Sequence, residues 1–350
     1  MEEHKKKNLI RRLYDFAFKE DLSWNDWFFE RVYKDEEAFL LTGGGNALSC
    51  LLLQKYGFWF HGEETKFGYI CGATTDVKSR HKGYMGELMV KALQESYARG
   101  DVFAGLIPAS RLLYFFYDKF SFSTVVFSEI ERYTSAHVFP KTEGYKVTAP
   151  SYSGLSKLER ERRSTILHSE EGFNNILEDI AHDKGTVVQI DNAEGETAAL
   201  AFATVSGAEI HVKELLGSDA LALDMALGAV QEELRVEMPM VVWREPSGRS
   251  SSMRSRGMIR IINVEKALET LASKNPKVDQ VIRVSDKIIP ENTGIYILKD
   301  GKCTRVDHTL RHLSLDVTVD VLAKIIFSGE RIGKIFNLPT CHPMMPLMLD

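Results

Sequence analysis

Lys78, Arg80 and Lys82 put three positive charges into five residues, with His81 among them and Gly83 and Gly86 following. Directly after them Met85, Leu88, Met89, Ala92 and Leu93 keep the spacing of one buried helix face. The pattern predicts a helix that starts at the end of the basic turn. A helix N-terminus offers N–H groups without intrahelical partners and the positive end of the dipole, so an anion is favoured there. With lysine and arginine beside it, the natural guest is a diphosphate. Taken alone, a basic glycine turn is more simply a surface loop with solvated charges. Glu87/Lys91 and Glu95/Arg99 fall at i,i+4 spacing on the wet face, and Arg99-Gly100 supplies a cationic last turn and a glycine stop.

The final residues, LPTCHPMMPLMLD, form the second informative stretch. Three methionines, three leucines and three prolines precede Asp350, and leaving them in water is unfavourable. They should pack into a groove, either merely between domains or with the α-carboxylate carried inward beside a reacting centre.

Length and composition bound the elements that must position these groups. At 350 residues two or three domains are expected. A hydrophobic fraction of 44% and a charged fraction of 27% are those of a soluble globular protein. A net charge of −5 argues against a general nucleic-acid binder and makes the basic turn a local feature. Cys50, Cys71, Cys303 and Cys341 form no CxxC pair, so free thiols are expected rather than disulfides or a zinc site. MEEHKKKNLIRRLYDF carries charges where a signal peptide needs an apolar core, and no run approaches membrane-spanning length. A cytoplasmic protein is expected.

Along the chain, residues 6–19 and 21–33 read as helices, the second dense in aromatics (Trp24, Trp27, Phe28, Phe29). Those rings are core, or else they wall a pocket in which Asp26 attracts a cation. Strands follow at 37–42, 47–54 and 66–76, the first two joined by the GGGN turn at 43–46. After the basic turn and its helix come a strand at 102–107, a short helix from Pro108 towards Tyr117, and a strand at 122–133.

This order, with Arg80-His81-Lys82-Gly83-Tyr84-Met85 between strand and helix, resembles the GNAT superfamily of acetyl-CoA-dependent N-acetyltransferases. The superfamily's turn is usually [RQ]-x-x-G-x-[GA], and here Met85 replaces the last small residue. SRHKGYM followed by Tyr117-Asp-Lys-Phe-Ser-Phe122 is similar to the Eis ("enhanced intracellular survival") branch, with His81 in place of its usual arginine and Ser121 in place of its usual glycine.

Residues 141–255 repeat the order. Helices at about 152–164 and 170–183 precede strands at 186–190, 197–205 and 209–215, a helix at 220–234 and a strand at 240–244. The turn before that helix reads Leu216-Gly217-Ser218-Asp219, with one acid and no base, so it would repel a phosphate. This is read as a second, degenerate copy that has lost its cofactor site. Ser247–Arg260, polar and carrying four arginines, is read as a linker rather than an RNA-binding tail. A helix at 264–272, strands at 281–284, 294–298 and 303–307 and a helix at 317–327 then resemble the sterol-carrier-like third domain of Eis proteins, entered through RGMIRIINVEKAL. His308 and His312 are read as structural, and no metal is expected.

The expected fold is therefore mixed α/β: tandem GNAT folds, the second degenerate, followed by a sterol-carrier-protein-like α/β domain. The domains are set at 1–140, 141–255 and 256–350. The resemblance implies acetyl-CoA as acetyl donor and an amine acceptor, an aminoglycoside-like polyamine or a lysine side chain. Acetyl transfer needs a neutral amine, donors for an oxyanion and a proton for the departing thiolate. The resemblance assigns proton removal to the terminal carboxylate of Asp350 and the thiolate's proton to Tyr117, with Tyr114 as its rival. Oxyanion donors and pantetheine contacts fall to Thr74, Thr75 and Val77, and the diphosphate to Arg80, His81, Lys82, Gly83, Tyr84, Met85 and Gly86. A hexameric homo-oligomer is implied by the branch; no nucleic-acid or membrane partner is expected. A catalytically inactive GNAT-fold binding protein, or a lipid or ligand carrier acting through the third domain, are the other classes.

Overall fold

A computed structural model describes residues 3–18, 22–141, 143–247 and 253–349. Contacts divide the chain into two compact units. Among the described residues, the first joins the stretch up to Val125 to Gly257–Cys341; the second is Val126–Arg256 with His342–Leu349.

The first unit opens with α1 (Glu3–Ala17) and α2 (Leu22–Arg31). Phe28 and Phe29 of α2 are buried, Phe28 stacked on Tyr14 and Phe29 edge to face with it, while Asp26 is exposed and held by Arg11 at 2.9 Å. The aromatic density is thus largely packing, and the charge of Asp26 is already met by a guanidinium. Strands β1 (Ala38–Gly43), β2 (Asn46–Phe60) and β3 (Glu63–Thr75) form an antiparallel meander. Both long strands outrun their sequence-based limits because an aromatic run, Tyr56–Phe60, pairs with the mostly polar Glu63–Phe67, and neither segment shows the alternation of a half-buried strand. Helix α3 (Tyr84–Ala98) buries Leu88, Met89, Ala92 and Leu93 as the periodicity predicts and stops at Gly100, φ +84°. Lys91 meets Glu87 at 2.6 Å. Arg99 does not pair with Glu95 in the observed set of ion pairs but turns inward: its Nε donates to Asp101 Oδ2 at 2.6 Å, and its Nη1 and Nη2 to the carbonyls of Leu53 and Gln54. Burial wins over the exposed helix pair because those carbonyls need donors. β4 (Phe103–Leu106) and α4 (Arg111–Asp118) follow.

From β5 (Ser123–Tyr133) the chain enters the second unit, which adds β6 (Lys146–Thr148), α5 (Tyr152–Glu161), β7 (Ser164–Leu167), α6 (Glu170–His182), β8 (Thr186–Asp191), β9 (Thr197–Ser206), β10 (Glu209–Gly217), α7 (Ala220–Leu234) and β11 (Met240–Arg244). The sheet order here is β5-β11-β10-β9-β8-β6, with β10 and β11 parallel. α7 packs Ala222, Ala226, Leu227 and Val230 into a core with Val188, Ala201 and Val212. The short β7 was hidden at the end of a charged helix pattern; all four of its residues are buried. The tail joins this unit. Met344 donates to Ser164 O at 3.1 Å and its carbonyl accepts from Ile166 N at 3.0 Å, so the tail runs beside β7 as an added extended segment, with Met344, Met345 and Leu349 buried.

The remaining elements return to the first unit. Residues read as a linker form β12 (Met253–Ile261), whose Met258–Ile261 pair antiparallel with Leu106–Phe103 of β4. The arginines made this stretch look solvated, yet Arg260 is wholly buried. α8 (Val264–Lys274), β13 (Gln280–Ser285), β14 (Gly294–Lys299), β15 (Lys302–Val306), β16 (Leu315–Thr318), α9 (Val319–Ile326) and α10 (Glu330–Phe336) complete it. The small sheet runs β15-β14-β13-β16, with β16 parallel to β13 where the sequence had suggested only the start of a helix. His308 and His312 are exposed, and among the described residues no group of His, Cys, Asp or Glu is arranged to hold a metal. None of the four cysteines is in a disulfide, and burial pushes the Cys50 thiol up to about 12. Among the described residues no helix is long and apolar enough to cross a membrane.

Asp101 is 2% exposed and holds both Ser96 and Arg99. Asp101→Ala should therefore lower unfolding stability by about 3–5 kcal/mol, because Arg99 is left half of a buried pair. Urea denaturation of the two proteins measures the difference.

Candidate functional site

The site begins where two parallel strands part. β3 and β4 keep register over Phe67–Tyr69 and Phe103–Gly105, and β3 then continues to Thr75 while β4 ends at Leu106. The parting has a local cause. Gly72 stands at φ +58°, where the register of β2 against β3 shifts between Cys50 and Leu52, and a Cβ there would sit 3.3 Å from the Tyr14 ring. A left-handed residue inside a strand makes a bulge, and a bulge bends the strand away from its neighbour. Beyond it Thr74 and Thr75 lie opposite Cys50 and Ser49. Ser49 Oγ donates to Thr74 O at 3.1 Å and lies 2.9 Å from Thr75 Oγ1, which steadies the free end from the β2 side.

The chain leaves β3 through a compact turn. Asp76 Oδ2 accepts from Lys78 N at 3.1 Å and Ser79 Oγ at 3.2 Å, winding Val77–Ser79 into one 3-10 turn. Arg80 Nε donates to Thr75 O at 3.3 Å, tying the basic segment back to the strand end. Arg80, His81, Lys82 and Gly83 are exposed; Tyr84, Met85 and Gly86 are half-buried. His81 (φ +62°) and Gly83 (φ +85°) are both left-handed, which curls the backbone around the start of α3. Gly83 is the N-cap residue; among the described residues no side chain caps the helix, and a Cβ added at Gly83 meets nothing within 4 Å. Among the described residues no hydrogen-bond partner meets the first N–H groups of α3, and Arg80 and Lys82 stand in the turn just before them.

Tyr117 lies near the end of α4, 7% exposed, with Phe116 at 5.2 Å and Phe122 at 6.2 Å edge to face. It shares a core with Leu88 and Met89 of α3 and Ile70 of β3, the two elements that carry the turn. Tyr114, one turn earlier, is half-buried at the edge of the same core. Ser121 adopts φ +59°, the left-handed conformation that accounts for glycine at this place in the resembling branch. The structure thus brings Thr74–Gly86 and Tyr117 into one unit. Asp350 lies outside the described residues.

The second unit supplies an internal control. β10 and β11 are in parallel register over Ile210–Val212 and Met240–Val242, and β10 likewise runs on past that register to Gly217, paired with β9. At the head of α7, however, Asp219 is the N-cap. Its Oδ1 accepts from Leu221 N at 2.9 Å and Ala222 N at 3.4 Å, and Tyr145 donates its hydroxyl to Oδ2. The Tyr145 hydrogen bond, with these backbone donors, holds the Asp219 carboxyl below its ordinary range. A 430 Å³ hollow next to it is lined by Glu143, Glu161 and Glu194 as well. A fixed carboxylate already occupies the place where a phosphate would sit.

Comparison with known proteins agrees with this geometry. Residues 3–125 match the acetyltransferase (GNAT) domain, and residues 264–336 match the sterol carrier protein domain. Residues 3–125 are an acetyltransferase domain of the GNAT type. The chain is similar in fold to a probable N-acyltransferase from Enterococcus faecalis (TM-score 0.81, 12% identity, 97% of this chain and 96% of that one). It is also similar to Eis1 from Mycobacterium abscessus (0.70, 15%, 96% and 90%) and to a GCN5-related N-acetyltransferase from Kribbella flavida (0.77, 13%, 100% and 97%). At such identities these likenesses establish the fold. No curated protein matches the chain.

Three features of the first unit escaped the sequence reading: the Gly72 bulge, Ser49 behind the strand end, and Arg260, which reaches the carbonyl of Phe120 from β12. An isolated glycine inside a strand pattern was a usable signal for the first. Nothing in the spacing of Ser49 or Arg260 announced a long-range partner.

Gly83→Asp would place a carboxylate at the head of α3, although not in the extended conformation from which Asp219 caps α7. Aspartate tolerates the left-handed conformation better than most residues, but the position still strains any side chain. The variant should melt a few degrees lower and, if the turn holds a diphosphate, bind coenzyme A about tenfold more weakly, equivalent to about 1.4 kcal/mol; calorimetric titration reads both proteins.

Proposed function

We propose that this protein is an Eis-like, acetyl-CoA-dependent N-acetyltransferase acting on a primary amine, an aminoglycoside-like polyamine or a lysine side chain. One observation carries the reading: the uncapped, base-flanked N-terminus of α3 lies directly after a strand end released from its parallel neighbour. Released backbone groups suit an amide-bearing arm, and open helix N–H groups suit a diphosphate. The open side of Gly83 leaves room for phosphate oxygens to approach the backbone. The residues therefore fit coenzyme A.

Acetyl-CoA bound there supplies a thioester carbonyl to the amine. Backbone N–H groups of Tyr84, Met85 and Gly86 would hold the diphosphate, with Arg80 and Lys82 adding charge and His81 shaping the turn. Thr74, Thr75 and Val77 would offer main-chain hydrogen bonds to the pantetheine arm and to the carbonyl oxygen as it gains charge. Tyr117 would give its proton to the departing sulfur, with Tyr114 as the neighbouring alternative. Asp350 would take the proton of the incoming ammonium, whose free pKa is about 10.4, and its charge would favour cationic acceptors. The three-segment division at 1–140, 141–255 and 256–350, a hexameric assembly and a cytoplasmic setting belong to the same Eis-like reading.

Calorimetry with acetyl-CoA, followed by a screen of amines for thiol release, tests the proposal. Binding in the micromolar range and amine-dependent thiol release are expected. No binding at about millimolar acetyl-CoA would make the chain a binding protein instead. Tyr117→Phe should lower kcat about 100-fold, within the range of general acid catalysis, and leave acetyl-CoA affinity within about twofold. A large loss of affinity would mark a packing tyrosine. A residue appended after Asp350 should abolish turnover while acetyl-CoA still binds; an unchanged rate would remove Asp350's carboxylate as the base.

A further inference from the structure

We infer that Arg260, on β12 and far from Tyr117 in sequence, is a positioning residue that sets the placement of Tyr117 relative to the head of α3. The inference rests on the transferase reading above and deepens it.

Arg260 is among the largest wholly buried side chains of the described residues. Its Nη2 donates to both carboxylate oxygens of Asp286, at 2.7 and 2.6 Å, and its Nη1 donates to the carbonyl of Phe120 at 2.7 Å. Asp286 in turn accepts from Ile288 N at 2.9 Å, Ile289 N at 3.1 Å and Asn292 Nδ2 at 2.9 Å. Asn292 closes the network onto β12 and α8: Nδ2 also donates to Ile262 O, and Oδ1 accepts from Val264 N, each at 2.9 Å. Desolvation pulls the guanidinium's pKa down from its ordinary value, and Asp286 opposes the fall.

Such a pair adds little stability over well-packed apolar residues. What it supplies is direction, because a planar guanidinium holds a carboxylate and a carbonyl in one fixed plane. The carbonyl it holds is well placed to matter. Phe120 lies just past the end of α4, where carbonyls have no intrahelical partner. Phe120 N donates to Tyr117 O at 2.9 Å, so the two residues move as one turn. The Phe120 ring lies against the first turn of α3, with Cζ 3.6 Å from where a Cβ on Gly86 would stand. One residue thus touches the proposed diphosphate helix with its ring, the Tyr117 turn with its N–H and Arg260 with its carbonyl. Ser123 Oγ, donating to Asp320 O at 2.8 Å, ties the same turn to α9 two residues beyond Ser121. Without the guanidinium, the Phe120 carbonyl would be left to swing, and Tyr117 would keep its burial but lose its aim.

A double-mutant cycle between Arg260→Lys and Tyr117→Phe tests this, with kcat, KM for acetyl-CoA and melting temperature measured for all four proteins. A lysine keeps the charge and cannot hold both partners. Arg260→Lys should lower kcat about tenfold with KM unchanged, the scale of a small misplacement of a reacting group. In the Tyr117→Phe background the same change should alter kcat less than about twofold. Equal losses in both backgrounds, an unchanged kcat in the single variant, or a loss confined to KM would each overturn the inference. If Arg260→Lys does not fold, Arg260→Met with Asp286→Asn removes both charges and keeps an oxygen for the Ile288 and Ile289 N–H groups; failure of both to fold assigns the pair to packing and overturns it too. A parent protein that binds no acetyl-CoA and releases no thiol overturns the transferase reading and this inference together, whereas an active parent with an additive cycle overturns this inference alone.

Discussion

Two parallel strands that agree for three residues and then separate are the constraint from which the site follows. Parallel pairing in β3 and β4 needs a crossover, and α3 is that crossover. Once Gly72 bends β3 aside, the strand end and the helix head face the same opening, and the turn between them must span it. The basic residues sit in that turn because it is the only link between the two. Ser49 and Asp76 then have complementary tasks, one fixing the strand end and the other fixing the turn. On the proposed reading, a diphosphate would meet the helix head and an amide arm the strand end, two neighbouring stretches of backbone joined by this turn.

The second unit makes the same separation and reaches a different chemical result. Its β10 also runs past its parallel partner, and α7 also begins directly afterwards. A single carboxylate decides the outcome. Asp219 satisfies the head of α7 internally, whereas Gly83 leaves the head of α3 to be satisfied from outside. Fold and site are therefore separable properties here: the geometry is present twice, and the electrostatics favour an anion once.

Much of this was legible in the residues, and the exceptions share a cause. The α3 face, its glycine stop, the GGGN turn and the acid in the second turn are local signals, and the structure reproduces them at nearly the expected positions. β7 and β12 were missed because each becomes a strand only through a distant partner. Arginine misled twice for the same reason. Arg99 and Arg260 read as solvated charges, yet both end among backbone carbonyls and a buried carboxylate, partners that no window of neighbouring residues contains. The chemistry-bearing turn could be located from sequence, while the groups that brace it from behind could not.

The division of the first unit has a consequence for how the chain comes to exist. Synthesis delivers α1 to α4 first, yet the strand that completes the far side of β4 arrives only with Met258–Ile261. Between the two, the whole stretch Val126–Arg256 emerges and holds nearly all of the second unit. Until then the β4 edge is an unpaired strand edge, of the kind that recruits foreign strands. The second unit is thus free to condense while the first waits, and the basic turn and Tyr117 are made well before the strand that covers the β4 edge. An order of assembly is written into the route of the backbone, with β12 as the step that closes the β4 edge.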